Sequence, residues 1–112
     1  MATTTYSVLG QAEPPASTPT TLGAAVPSGK MWVISSITVC NTNASAVTYR
    51  ISVRPAGAVQ TTAMYICYDV ALPAKTTDTI TVGLTLAATD VVTVWASSTL
   101  VAFNMYGSEI TP

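Results

Sequence analysis

Residues that could perform acid–base or nucleophilic chemistry are few in this sequence and widely spaced. The chain has no histidine, and its only acidic side chains are five carboxylates. They are Glu13, Asp69, Asp78, Asp90 and Glu109. Without an imidazole there is no Ser-His or Cys-His pair, and the spacing of the acids does not favour the paired carboxylates of a glycoside hydrolase. We therefore expect no enzymatic activity and no catalytic residue.

Metal and cofactor chemistry lacks its usual residues as well. The two cysteines, Cys40 and Cys67, are too few for a tetrahedral metal site when histidine is absent. The sequence contains neither a GxGxxG nor a GxxxxGK motif. We therefore predict no metal site and no cofactor. Both cysteines fall in predicted strands, where free, partly buried thiols are expected and a disulfide is the alternative.

The charge content points to contact with other proteins. Charged residues make up 8% of the 112 residues and hydrophobic residues 49%, whereas charged residues are about a quarter of an ordinary soluble protein. The four basic residues, Lys30, Arg50, Arg54 and Lys75, are spread along the chain. This spread argues against binding to nucleic acid or to a membrane surface, which needs clustered basic residues. A surface with so few charges usually contacts another protein.

Alternation of apolar and polar residues predicts strands along most of the chain. In residues 46–54, AVTYRISVR, the residues Val47, Tyr49, Ile51 and Val53 share one face. The same period recurs in the other predicted strands, which cover residues 31–40, 64–72, 79–84, 90–96 and 100–106. No segment has a sustained helical period. The predicted fold class is all-β, an antiparallel β-sandwich of jelly-roll or immunoglobulin-like type.

The N-terminal composition and the polar turns lead to three expectations about the organisation of the chain. Residues 1–25 are rich in Pro, Thr, Ser and Ala, which predicts a non-regular, extended N-terminal arm, with the sandwich over residues 26–112. The N-terminus has no basic segment followed by an apolar run, so we expect no secretory signal. The polar turn CNTNAS between residues 31–40 and 46–54 predicts that these two strands form a hairpin.

Several strands carry large apolar residues on both faces. On residues 31–40, Val33, Ile37 and Val39 are predicted to face the core, which places Trp32 and Ile34 on the opposite face. Large apolar residues on a second face need a second cover, such as the arm, a sister subunit or a partner. The candidate interface residues are Trp32, Ile34, Tyr65, Val91, Trp95, Leu100 and Tyr106. Stacking on sugar rings is the alternative role for the aromatic residues among them.

A series of short motifs, in order, resembles a known family. The motifs are YSVLGQ, VPSGK, ITVCN, YRISVRPAG, YICYDVALPA, GLTLAATDVVTVWA and FNMYGSEI, and together they extend from Tyr6 to Ile110. In their order and spacing they resemble a family of small virion structural proteins of tailed bacteriophages. The resemblance implies a non-enzymatic β-sandwich that is present in many copies on the particle.

The resemblance also implies where the protein acts and what it binds. The expected role is capsid decoration or cement, with stabilisation of the shell through contacts between subunits. The expected partners are other copies of this chain, as a trimer, and a major capsid or other virion protein. The expected location is the virion, which is assembled in the host cytoplasm. The alternative is a tail-, neck- or fibre-associated protein, or a module that binds carbohydrate or the host surface.

Overall fold

Segments rich in Thr, Val and Ile form the strands, because branched side chains pack well on a pleated surface. The structure is a computed structural model, and it describes residues 2–112. The strands in this range are β1 (Thr3–Ala12), β2 (Thr20–Thr21), β3 (Met31–Asn41), β4 (Val47–Arg54), β5 (Tyr65–Leu72), β6 (Thr77–Ile80), β7 (Thr85–Leu86), β8 (Val91–Ala96) and β9 (Val101–Thr111). Two short 3-10 turns, Pro55–Gly57 and Thr62–Met64, connect β4 to β5.

The strands form two antiparallel sheets that pack face to face. Sheet A has the order β1-β9-β3-β6, with β7 also paired to β3, and sheet B has the order β2-β8-β4-β5. The pairs are nested: β1 with β9, β2 with β8, β3 with β6 and β7, and β4 with β5. One long hairpin folded over into two layers gives this pattern, which is the jelly roll. The predicted all-β sandwich is confirmed, and of its two variants the topology is the jelly roll.

The core lies between the sheets and takes its side chains from both. Tyr49 of β4 and Phe103 of β9 meet edge to face across it, with ring centroids 6.3 Å apart. The Tyr49 hydroxyl donates a hydrogen bond to Asp78 Oδ2 at 2.9 Å. Burial, together with this bond to a carboxylate, raises the pKa of Tyr49 well above its usual value. The phenol therefore stays neutral, and its one polar atom in the core is satisfied.

A β-bulge in β3 overturns the predicted orientation of its side chains. The pairing of β3 with β9 shifts between Ile34 and Ser36, and a one-residue shift moves every later side chain to the other face. As a result Trp32 and Ile34 lie in the core, 5% and 3% exposed, on the same side as Ile37 and Val39. The prediction that Trp32 and Ile34 face outward is wrong. Val33, predicted to face the core, is 40% exposed.

Gly107 of β9 makes this bulge possible. A Cβ atom added at Gly107 would overlap the carbonyl oxygen of Val33 and lie 2.9 Å from the Cα atom of Ile34. These are backbone atoms of the bulged strand, so they cannot move away as a flexible side chain could. The close approach of β9 to β3 therefore requires glycine at position 107.

The first 25 residues are extended, but part of them is regular structure. Met1 lies outside the described residues, and β1 is an edge strand of sheet A, hydrogen-bonded to β9 along most of its length. The prediction of non-regular structure is wrong here, because the Thr-rich start satisfies its backbone groups by pairing. Leu22 is fully buried in the core. A Cβ atom at Gly10 would lie 2.8 Å from the Leu22 carbonyl oxygen, so β1 packs closely against this segment.

Two further predictions about the strands are corrected by the topology. Strands β3 and β4 do not form a hairpin, since β3 belongs to sheet A and β4 to sheet B. The buried Asn41 at the end of β3 donates to the carbonyl oxygens of Leu72 and Pro73, at 3.2 and 3.1 Å, which ties this crossover to the end of β5. The strand predicted over residues 79–84 ends at Ile80. Within residues 2–112, no helix has the length and apolarity that a bilayer crossing requires.

Candidate interaction surfaces

The outer face of sheet B carries a cluster of aromatic and charged residues around Arg50. The Arg50 guanidinium carbon lies 3.9 Å from the ring centroid of Trp95 and 4.3 Å from that of Tyr68. Its Nε atom donates to Asp69 Oδ1 at 2.6 Å. Tyr65 packs edge to face against Tyr68, with centroids 4.7 Å apart. We call Arg50, Tyr65, Tyr68, Asp69 and Trp95 the arginine cluster.

Strand pairing and a bulge bring the arginine cluster together. Arg50 is the direct cross-strand partner of Trp95 on β8. On the other side of β4, Tyr49 pairs with Val70 and Ile51 with Cys67. Two residues of β5, 68 and 69, therefore lie opposite the single residue 50, which is the definition of a bulge. Asp69 takes a positive φ of 49° there, and both bulge residues reach the same guanidinium.

The guanidinium of Arg50 is fixed in orientation but only partly used. It makes cation–π contacts with Trp95 and Tyr68, and the hydrogen bond to Asp69 holds its Nε edge. This hydrogen bond raises the pKa of Arg50, whose positive charge is thereby further secured. Within residues 2–112, that bond is the only one the Arg50 side chain makes. The Nη1 and Nη2 groups remain available to an acceptor.

A pocket with a volume of about 260 Å³ opens beside the arginine cluster. One wall is the N-terminal segment, where the backbone N–H of Ser17 donates to the Ala96 carbonyl at 2.7 Å. The opposite wall is the segment after β4, where Gln60 Oε1 accepts a hydrogen bond of 2.6 Å from the Ser52 hydroxyl. The lining residues are Ser17, Pro19, Arg50, Ser52, Arg54, Gln60, Tyr65, Thr93, Val94 and Trp95.

Arg54 is the second cation of this pocket. Its Nε donates to the Ala58 carbonyl at 2.7 Å and its Nη2 to the Gly57 carbonyl at 3.0 Å. Within the described part of the chain, no carboxylate forms an ion pair with Arg54, since the two ion pairs there are Lys30–Glu109 and Arg50–Asp69. The pocket lining therefore contains two guanidinium groups and no carboxylate, and Arg50 is the one of the two that forms an ion pair among the described residues.

The outer face of sheet A is different, because the residues around Tyr6 and Val33 are uncharged. A shallow groove of about 510 Å³ runs along it. Tyr6, Val8 and Val33 are 82%, 52% and 40% exposed. We call this groove the sheet A groove, and its lining residues are Tyr6, Ser7, Val8, Val33, Ser35, Tyr106, Gly107 and Ser108. No charged residue lines it, and its exposed tyrosine and valine side chains suit it to contact with another protein surface.

The predicted interface residues are distributed over five places in the structure. Tyr65 and Trp95 belong to the arginine cluster, and half-buried Tyr106 lines the sheet A groove. Leu100 is 51% exposed in the turn before β9. Val91, at 9% exposure, is covered by the turn that follows β4 and is not a surface residue. Trp32 and Ile34 lie in the core, as described above.

Trp32 is fixed within the fold by Glu109. Its indole Nε1 donates to Glu109 Oε2 at 2.9 Å, while Lys30 Nζ lies 3.1 Å from the other carboxylate oxygen. The hydrogen bond from Trp32 and then that from Lys30 lower the pKa of Glu109 below its usual value. The polar atom of the Trp32 side chain is thus satisfied within the chain, which identifies this tryptophan as a core residue rather than an exposed anchor.

Sequence reasoning missed several residues of both surfaces. It did not single out Arg50, Tyr68 or Asp69, and it placed Tyr6 and Val8 in an arm instead of a strand. The signal for Arg50 was present in the alternation of β4, which puts it on the outer face. Its partners could not be found from that pattern, because β8 lies more than forty residues away and the bulge in β5 has no sequence signature of its own.

Metal ligands and reactive thiols are the next groups to consider among the described residues. Residues 2–112 contain no group of three His, Cys, Asp or Glu side chains that could hold a metal ion. Cys40 and Cys67 are free and half-buried, on sheets A and B respectively. Burial raises the pKa of the Cys67 thiol, which disfavours the reactive thiolate at neutral pH.

Comparison with known proteins finds a likeness of fold. No protein-family model matches the chain, and no curated protein sequence matches it. A crystal structure of the T13 IBDV viral particle matches 98% of this chain with a TM-score of 0.55 and 11% identity. A structure of infectious bursal disease virus strain Gx matches 98% with a TM-score of 0.55 and 12% identity. The chain spans only 30% and 32% of the length of those chains.

Proposed function

We propose that this protein is a structural component of a virion, and specifically a capsid decoration or cement protein of a tailed bacteriophage. The observation that carries the proposal is the match of nearly the whole chain, 98%, to part of a chain in each of two virus structures. The jelly roll is frequent in viral shells but is not confined to them. The assignment to a tailed bacteriophage is supported in addition by the motifs between Tyr6 and Ile110, which resemble those of phage virion proteins.

The surface composition supports a role in which the protein acts by burying its surface against neighbouring proteins. Charged residues are only 8% of the chain, and large apolar side chains are exposed on the outer faces of both sheets. The arginine cluster contains the residue types, Trp, Tyr and Arg, that dominate the binding energy of protein interfaces. A contact of about 800 Å² per partner is the ordinary size of a specific interface, and many copies on one particle multiply weak contacts by avidity.

The proposed partners are further copies of the chain, in a trimer, and a major capsid or other virion protein. In this proposal the protein is not an enzyme, and it reaches the virion during assembly in the host cytoplasm. The sheet A groove serves contact with a sister subunit, because an apolar face without charge has no repulsion to overcome when two copies meet. The arginine cluster serves contact with the shell.

The proposal is tested on purified particles of the virus that encodes the chain. Immunogold labelling is expected to mark the shell in many copies. Particles assembled with Trp95→Ala should lose occupancy, since a central anchor contributes about 2 kcal/mol or more. Val82→Ser is the matched control, because Val82 is 57% exposed and lines neither surface. Full occupancy of the Trp95 variant would refute the role of the cluster, and absence of label from particles would refute the function.

The second candidate is a tail-, neck- or fibre-associated protein, or a module that binds carbohydrate or the host surface. The pocket beside Arg50 favours it, since a lining of aromatic rings, hydroxyl groups and an amide is typical of a small-ligand site. Immunogold labelling distinguishes the locations, because label on the tail or fibres replaces label on the shell. If the protein is a ligand-binding module, substitutions in the pocket should not change how many copies of the protein each particle carries.

A further inference from the structure

The free edge of Arg50 is a prepared site for a planar anion. A guanidinium has five N–H donors in a rigid fork, and at Arg50 the Nε donor is committed to Asp69. The rings of Trp95 and Tyr68 both contact the group, at 3.9 and 4.3 Å from its central carbon to the ring centroids, and they restrict its orientation. Little side-chain entropy therefore remains to be lost when an acceptor binds the Nη1 and Nη2 edge. A carboxylate, which has the matching two-oxygen geometry, is the natural acceptor.

The charge in the pocket fits a monoanion. No aspartate or glutamate lines the pocket, and Arg54 lines it without a carboxylate partner among residues 2–112. Asp69 pairs with Arg50, so Arg54 is the cation of the lining that has no ion pair within the described residues. A carboxylate supplies one negative charge, whereas a phosphate monoester carries nearly two at neutral pH. The charge balance therefore favours a carboxylate over a phosphate.

The rest of the lining fits a ring that carries hydroxyl groups. Hydroxyl and amide groups lie around the walls, and two aromatic rings add apolar surface. The polar residues are Ser17, Ser52, Gln60 and Thr93, and the aromatic ones are Tyr65 and Trp95. The volume of about 260 Å³ is just below the range of drug-sized pockets, so the site suits a single ring. An acidic protein side chain would use the Arg50 fork alone and would make no contact with the polar walls.

We infer that the pocket beside Arg50 binds a uronic acid, the carboxylated sugar ring of an acidic polysaccharide. The carboxylate accepts from the Nη1 and Nη2 groups of Arg50, and the ring hydroxyls meet the Ser, Thr and Gln groups of the walls. This site does not depend on the virion role, since it is formed entirely by one chain. On a particle with many copies, weak single sites would bind a polysaccharide by avidity.

The test is an NMR titration of the isotopically labelled wild-type protein with sodium glucuronate. The chain has two tryptophans, of which Trp95 lines the pocket while Trp32 is buried and bound to Glu109. The expected result is a saturable shift of the Trp95 indole N–H with a Kd on the order of 1 mM. The Trp32 indole N–H should not move, and it serves as the internal control.

Two other ligands test the sugar ring and the carboxylate separately. Glucose has the ring and hydroxyl groups without the carboxylate, and it should produce no saturable shift at about tenfold the expected Kd. N-acetylglutamate α-amide has a free side-chain carboxylate but no sugar ring. It should bind at least about tenfold more weakly than glucuronate. Equal binding of glucose would overturn recognition through Arg50, and equal binding of the glutamate derivative would make the pocket a dock for acidic protein side chains.

Variants test the role assigned to Arg50. Arg50→Lys keeps the charge but removes the planar fork, so the Kd for glucuronate should rise at least about tenfold. Lys75→Gln removes an exposed positive charge away from the pocket and should leave the Kd unchanged. Gln60→Ala, in the segment after β4, should weaken binding without disturbing the strands. An unshifted Trp32 indole resonance shows that each variant is folded, and unchanged affinity in both pocket variants would overturn the inference.

Discussion

The two outer faces of this sandwich differ in how much of their structure is fixed before anything binds. On sheet B, Arg50 is held by two rings and a carboxylate, beside a polar pocket. On sheet A, Tyr6 and Val8 are exposed and make no polar contact through their side chains within the described residues. A face with oriented donors can select a small ligand, whereas an apolar face gains free energy only from the area that a large partner covers.

Bulges cause the difference between the faces. In β5 the bulge places Tyr68 and Asp69 together opposite Arg50, which concentrates polar and aromatic groups on sheet B. In β3 the bulge turns Trp32 and Ile34 inward and leaves Val33 outside, which removes the largest side chain of that strand from the outer face of sheet A. One extra residue in each strand therefore decides which face can carry an anchor.

The largest expected effect is a difference in folding stability between alanine variants of the two tryptophans. Trp32→Ala should destabilise the protein by about 3–5 kcal/mol, because it leaves a cavity in the core and removes one of the two donors to Glu109. Trp95→Ala should cost about 1–2 kcal/mol, since the indole is half-buried on the outer face. Urea unfolding followed by circular dichroism measures both. Similar losses for the two variants would contradict the assignment of one to the core and the other to a surface.

The second prediction concerns the bulge of β3. Gly107→Ala should destabilise the protein by about 2–3 kcal/mol, because its Cβ would overlap backbone atoms of the bulged strand. Gly83→Ala is the matched control for an added methyl group, since a Cβ at Gly83 meets nothing within 4 Å, although its positive φ of 65° adds some backbone strain. Denaturant midpoints compare the two. A Gly107 variant no less stable than the control would mean that the bulge does not require glycine.

The third prediction tests the sheet A groove as an association surface. Replacing Tyr6 by Ser and Val8 by Thr should change the free energy of unfolding by about 0.5 kcal/mol or less, because both side chains are exposed. The same pair of changes should lower the mass of the protein in solution, measured by light scattering, if sister subunits cover the groove. Ile66→Thr, on sheet B and 38% exposed, is the control and should leave the mass unchanged.

The smallest expected effect is a pH dependence at Glu109. Its pKa is lowered in the folded protein, so its contribution to stability is complete above the ordinary carboxyl pKa and is lost as the pH falls through the folded-state pKa. Glu109→Gln should therefore be less stable than wild type at pH 7, and the difference should vanish in acid. Unfolding curves across this pH range measure it. A difference that does not change with pH would show that the charge of Glu109 is not involved.

Local patterns in the sequence were sufficient to predict the fold class and most of the longer strands, but not β1. The alternation in residues 46–54 predicted β4 within one residue of its observed start, and the all-β sandwich is confirmed. Tyr65, Trp95 and Tyr106 are half-buried in the structure, and their role in an interface stays a prediction. A period of two residues is a property of the strand itself, so it is visible without knowledge of the partner strand.

The tertiary structure alone decided the pairing and the side-chain faces. The sequence did not reveal that β1 pairs with β9, that β3 and β4 lie in different sheets, or that Arg50 meets Trp95 and Asp69. Each of these contacts joins segments far apart in the chain, and its energy depends on both. A single bulged residue also reverses the alternation beyond it, so Trp32 and Val33 exchanged the faces that the pattern assigned to them.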